Sequence, residues 1–126
     1  MESRNSESVE NEECEFALTD QQVEELSKRP IHEEIEVFST LGSETRYRIL
    51  LILHEADDPV CVCELEPHLE VGQSSISQSL SRLRKAGLVT RTKEGRWRYY
   101  EPTPLAEHLA GVVESATEGK PSSLTP

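Results

Sequence analysis

Two sets of residues in this 126-residue chain have the types and spacing to do chemistry. The first is a run of cations. Between Gln73 and Tyr100 stand Arg82, Arg84, Lys85, Arg91, Lys93, Arg96 and Arg98 against one acid, Glu94, so this stretch carries +6 while the whole chain carries −11. Everything else therefore holds −17. Cations gathered this sharply on an acidic body suit a surface that meets a polyanion such as DNA. A merely solvated helix face beside a soluble hairpin explains neither the bias in both elements nor the opposite sign around them. The second set is Cys61-Val62-Cys63, with Cys14 as a third thiol near the N-terminus. Residues two apart share a face in extended chain and diverge inside a helix. Pro67 is tolerated only near a helix start, so a helix that carries it should begin around Cys63 or Glu64. Both thiols then lie where that helix begins and can converge on one ion, and the positive end of its dipole favours thiolates.

The elements that must position these residues can be read from periodicity. From Gln73 to Gly87, Ile76, Leu80 and Leu83 form an apolar helical stripe with Ala86 at its margin. The opposite face offers Ser74, Gln78, Ser81, Arg82 and Lys85. Together with Gln73, Ser75 and Ser77, these short hydroxyls and amides can reach base edges in a major groove, while the cations suit phosphates. Gly87 is expected to stop the helix in the left-handed conformation. Leu88–Lys93 and Arg96–Tyr100 read as two strands around a Glu94-Gly95 turn. Alternation puts Trp97 and Tyr99 on one face of the second strand and the arginines on the other, so Arg91, Lys93, Arg96 and Arg98 can reach the DNA backbone.

Upstream, Phe38 to Leu53 reads as a helix capped by Ser43, with Ile49, Leu50 and Leu53 in the core. Thr19-Asp-Gln-Gln22 reads as a capping box, and Ile31, Ile35 and Phe38 continue an apolar stripe beyond Pro30. After Pro102 and Pro104, residues Leu105, Leu109, Val112, Val113 and Ala116 recur at helical spacing. Such a narrow stripe on a terminal helix suits a dimer surface, although packing on its own core is the competing reading. The domain reading is a flexible acidic arm over 1–18, one winged domain over 19–118 and a disordered tail over 119–126.

These pieces, in this order, resemble the ArsR/SmtB family over roughly residues 34–104. The resemblance rests on Val60-Cys-Val-Cys-Glu-Leu65, Gln73-Ser-Ser-Ile-Ser-Gln-Ser-Leu80, Leu83-Arg-Lys-Ala-Gly-Leu-Val89 and Gly95-Arg-Trp-Arg-Tyr-Tyr100. It implies an α+β, mainly helical winged helix-turn-helix with a two-stranded β wing, dimerising through terminal helices. It also implies a homodimeric repressor of double-stranded operator DNA that requires no cofactor and is released by a metal or metalloid inducer. In that family Cys-Val-Cys at this place is the core of a soft-metal or arsenite/antimonite site. Some relatives place a third cysteine where this chain has Glu66, so Cys14 on the N-terminal arm is the substitute the resemblance suggests. Three thiolates suit pyramidal As(III) or Sb(III), whereas a soft divalent metal such as zinc or cadmium wants a fourth donor, for which Glu66 and His68 are candidates. Two departures stand in the turn before the recognition helix: Glu70 replaces a frequent glycine, and Gly72 replaces a serine cap.

Other readings remain open at this point. The cysteines can be small core residues, a Cys-x-Cys pair can answer oxidants, and the fold can serve as a protein-interaction module without DNA. Glu107, His108 and Glu118 do not assemble the family's second metal site, and His32 and His54 carry no motif. No enzyme is expected, since no nucleophile–base pair or phosphate-cradling glycine loop is present. The lack of a signal peptide or membrane-spanning run predicts a cytoplasmic, reducing setting without a membrane partner. With 24 acids, nine arginines and four lysines, the composition is that of proteins from halophiles.

Overall fold

The computed structural model describes residues 15–118. Expectations for Cys14, for most of the N-terminal arm and for the tail over 119–126 lie outside the described residues. The chain divides into two compact units, residues 1–31 and 32–126. In the first, helix α1 (Asp20–Lys28) opens with the expected capping box. The Gln22 backbone N–H donates to the Thr19 hydroxyl at 3.1 Å, and the Thr19 N–H donates to the Gln22 side chain at 2.8 Å. Its Val23 and Leu26 are exposed.

The second unit holds α2 (His32–Thr40), α3 (Glu44–Glu55), β1 (Val60–Cys61), α4 (Val62–Leu65), a 3-10 turn (Glu66–His68), α5 (Gln73–Lys85), β2 (Val89–Glu94), β3 (Trp97–Pro102) and α6 (Pro104–Thr117). Ser43 caps α3, accepting from the Arg46 N–H at 3.3 Å. The expected apolar stripes meet in one core: Ile49, Leu50 and Leu53 of α3, Ile76, Leu80 and Leu83 of α5, with Leu65, Leu88, Val89 and Tyr100.

Two local expectations are corrected, and the expected two-stranded wing gains a third strand: the sheet order is β1-β3-β2, because Val60 and Cys61 pair antiparallel with Tyr100 and Tyr99. A two-residue strand is too short to leave an alternation signal, which is why the sequence shows only a two-stranded wing. The helix at the thiols begins at Val62, so that it contains Cys63, rather than at Cys63 or Glu64, and Pro67 falls in the 3-10 turn that follows it. The hairpin turn is Gly95-Arg96, since Glu94 pairs with Trp97. Gly95 has φ +64° and Arg96 has no positive φ, the pattern of a type II′ turn with glycine first.

Gly87 (φ +78°) ends α5 as expected, with the Leu88 N–H donating to the Leu83 carbonyl and the Gly87 N–H to that of Arg84. The Thr103 hydroxyl then donates to the Gly87 carbonyl at 2.8 Å and caps α6, joining the end of one helix to the start of the next. On α6 the buried residues are Ala106 and Ala110, whereas Leu105, Val112 and Val113 are exposed.

Candidate nucleic-acid interface and thiol pair

Helix α5 shows its apolar stripe to the core, which leaves Gln73, Ser74, Ser75, Ser77, Gln78, Ser81 and Lys85 exposed. Its N-cap, Gly72, has extended backbone and no side-chain cap bond, so departure from a serine cap does not prevent the helix. The wing carries the second half of the surface. Residues opposite one another across an antiparallel pair share a face. The register sets Lys93 against Arg98 and Arg91 against Tyr100, so Arg91, Lys93 and Arg98 lie on one face. Thr92, Tyr99 and Trp97 lie on the other, as alternation predicts. Like charges directly opposite repel, so Lys93 against Arg98 is a cost in the free protein that a polyanion would relieve. Arg96 sits in the turn, its guanidinium 5.3 Å from the Trp97 ring centre.

Helix and wing meet. A groove of about 420 Å³ is lined by Ser81, Arg84, Lys85, Val89, Thr90 and Arg91, bringing three cations from two elements to one concavity. Arg84, which the sequence places in the cationic run but not among the expected DNA contacts, lines this groove. Residues two apart on a helix point about 200° apart, so Arg82 and Arg84 occupy opposite flanks of α5. The flank that faces β2 is Arg84's. Arg82 turns the other way, towards Thr40 and Glu36 of α2.

The thiol pair converges as the spacing suggests. Cys61 is in extended chain and buried, Cys63 is in the first turn of α4 and exposed, and their Sγ atoms are 3.0 Å apart. Two sulfurs bound to one ion at about 2.3 Å stand roughly 3.3–3.8 Å apart, so a small rotation of the exposed thiol fits the pair to a shared soft ion. The protonation expectation is corrected. Cys63 is pushed above the ordinary thiol range, first by its hydrogen bond to Cys61, then by desolvation and by the charges of Cys61 and Glu64. A four-residue helix has too small a dipole to reverse this. Glu64 is the second residue that sequence reasoning missed. Its carboxylate accepts from the Cys61 N–H at 3.2 Å, three residues on in the manner of a capping box, and that spacing was the available signal. Glu66 and His68 lie in the 3-10 turn beyond the thiols. His54, read as motif-free, stands with Glu55 and Glu114 so that their ligand atoms lie within 4.8 Å of one another.

Residues 43–91 match the model of the bacterial regulatory proteins of the arsR family. A Halobacterium salinarum protein named as an arsenical resistance operon repressor, ArsR2, is 57% identical over 81 residues, which span 64% of this chain and 68% of that one. The arsenical resistance operon repressor of Escherichia coli is 40% identical over 83 residues, 65% of this chain and 70% of that one. The chain belongs to the arsR family. It is therefore a winged-helix transcription regulator and not an enzyme. Among solved structures, HlyU of Vibrio cholerae superposes with a TM-score of 0.62 at 27% identity, covering 71% of this chain and 96% of HlyU. Rv0081 of Mycobacterium tuberculosis superposes with a TM-score of 0.62 at 30% identity, covering 71% and 90%. No helix among the described residues is long and apolar enough to cross a membrane.

Proposed function

We propose that this arsR-family chain is a homodimeric repressor that holds operator DNA with α5 and the wing and releases it when a thiophilic metalloid binds Cys61 and Cys63. Gln73, Ser74, Ser75, Ser77, Gln78 and Ser81 face base edges. Arg84, Lys85, Arg91, Lys93, Arg96 and Arg98 face phosphates. The exposed apolar residues of α6 and α2 form the two-fold contact. One observation carries the release step: Cys61 is paired with Tyr99 in β3, one residue from Arg98 on the cationic face of the wing. Closing the two sulfurs around an ion therefore acts on the strand that meets DNA and on the helix leading to α5. The ion must bind the DNA-free form more tightly to cause release.

Arsenous or antimonous acid is the favoured inducer. Each As–S bond forms as a thiol displaces hydroxide and its proton leaves with that hydroxide as water, which suits the raised Cys63 thiol. The relatives named for arsenical resistance support the same choice. Cys14 on the N-terminal arm would supply a third sulfur. The test is a fluorescence-anisotropy titration of promoter duplex in concentrated KCl, with arsenite, antimonite, cadmium, zinc and a peroxide added in separate arms. Arsenite should release the wild type but not Cys61→Ser or Cys63→Ser, both of which should still bind. Release by arsenite from both variants would refute the site, and release by peroxide alone would favour the oxidant reading, which the 3.0 Å sulfur separation also permits.

A further inference from the structure

Thr40 is the one buried polar residue among the described residues, and both its oxygens are taken by arginines from other helices. It ends α2, so its carbonyl is one of the acceptors a helix leaves without an internal partner, and it sits at the negative end of the dipole. The Arg46 Nε–H of α3 donates to that carbonyl at 2.6 Å. The Arg82 guanidinium of α5 donates from Nη2 to the Thr40 hydroxyl at 3.4 Å and lies 3.9 Å from the Glu36 carboxylate. Glu36 stands one turn before Thr40, so the two acceptors share a face of α2. The Arg82 Nε is itself in the interior, with no hydrogen-bond partner. A phosphate contact wants a guanidinium free to turn outward; this one has a buried neck, and its Nη2 points to a neighbouring helix, although the side chain as a whole is 41% exposed.

We propose that Arg82 is a positioning residue: held by Thr40 and Glu36, it fixes the rotation of the recognition helix against α2 and is not one of the phosphate contacts. The arrangement gives α2 a second role. Its Ile35 and Phe38 are exposed on a different side from Glu36 and Thr40, so whatever covers them also bears on the angle at which α5 meets DNA. The functional readout rests on the operator-binding reading above; the geometric one does not.

The experiment compares wild type with Thr40→Val, Arg82→Lys and Arg82→Gln. Operator affinity is measured across a KCl series, and amide residual dipolar couplings are measured in the free full-length protein. Thr40→Val keeps the shape of a residue that cannot reach DNA, and Arg82→Lys keeps the charge but not the fork. Both should weaken operator binding by about tenfold, the scale of one lost base contact. All three should leave the slope of log affinity against log salt unchanged, and the couplings of residues 73–85 should reorient against those of 44–55. The proposal is overturned if Arg82→Gln lowers that slope by about 0.9, the signature of one lost phosphate, while Thr40→Val binds as wild type. If wild type binds no duplex, the operator reading fails and the couplings alone decide the clasp. Should Thr40→Val not fold, Arg82→Lys carries the test; couplings unchanged in the folded variants overturn the proposal.

Discussion

Cys63 keeps its proton near neutrality because the Cys61 sulfur stands 3.0 Å away and its own carboxylate-bearing turn adds negative charge. The sign of the consequence differs between inducers. Capturing a divalent ion by a thiol expels a proton, so cadmium affinity should rise with pH below the raised Cys63 value, by up to about one decade per unit for each proton released. Arsenous acid carries off its protons as water, so its affinity should stay nearly flat over the same window. Titrating both ions between pH 6 and 8 by competition checks this; parallel curves would contradict a Cys63 that keeps its proton. Iodoacetamide reports on the cause. Cys63 should alkylate more slowly than free cysteine at pH 8, and Cys61→Ala, which removes the largest cause, should speed it up. That the sulfurs can meet was legible from a spacing of two near a helix start, although Pro67 placed that start one to two residues too late. The direction of the proton was not, because it depends on a sulfur–sulfur contact and on Glu64, which local pattern alone does not place.

At the scale of elements, α3, α5 and the paired strands of the wing were readable because each has a long amphipathic period, a glycine stop or a capping hydroxyl. The third strand was not, since Val60 and Cys61 acquire strand character only by pairing with Tyr100 and Tyr99. The contacts of Arg82 were hidden for a related reason. Helical periodicity places it on an outward flank, and only Thr40, 42 residues earlier, turns it towards α2. The wing itself trades stability for charge. Arg98→Gln removes a like-charge pair with Lys93 and should stabilise the free protein by a few tenths of a kcal/mol, within the roughly 0.2–1 kcal/mol range of cross-strand pairs. The same change should lower the salt slope of operator binding by about 0.9. Thermal melts and a KCl series on one variant read both effects, and a loss of stability with no change in slope would remove Arg98 from the interface. Gly95→Ala tests the turn, where a left-handed β-carbon should cost about 1–2 kcal/mol and weaken DNA binding by loosening the tip.

The whole molecule carries −11 and yet must approach a polyanion, so salt acts on it twice with opposite signs. Acids repel one another across the surface, and at about 1 M salt, where the Debye length is about 3 Å, that repulsion is screened and folding is favoured. On the operator-binding reading proposed above, the same ions compete with Arg84, Lys85, Arg91, Lys93, Arg96 and Arg98 for phosphate, so binding is disfavoured. Relatives in Halobacterium salinarum make a salt-rich working condition the natural one for this composition. The melting temperature should therefore rise steadily from 0.1 to 3 M KCl while operator affinity falls along a straight line in log salt. The base-edge contacts proposed for the serines and glutamines of α5 would not depend on counterion release, so discrimination between operator and random duplex should widen as non-specific binding is stripped away. Measuring both duplexes across the series decides it. Specific and random affinities falling with equal slope and constant ratio would mean that the polar face of α5 reads no sequence and that the cationic wing does all the holding.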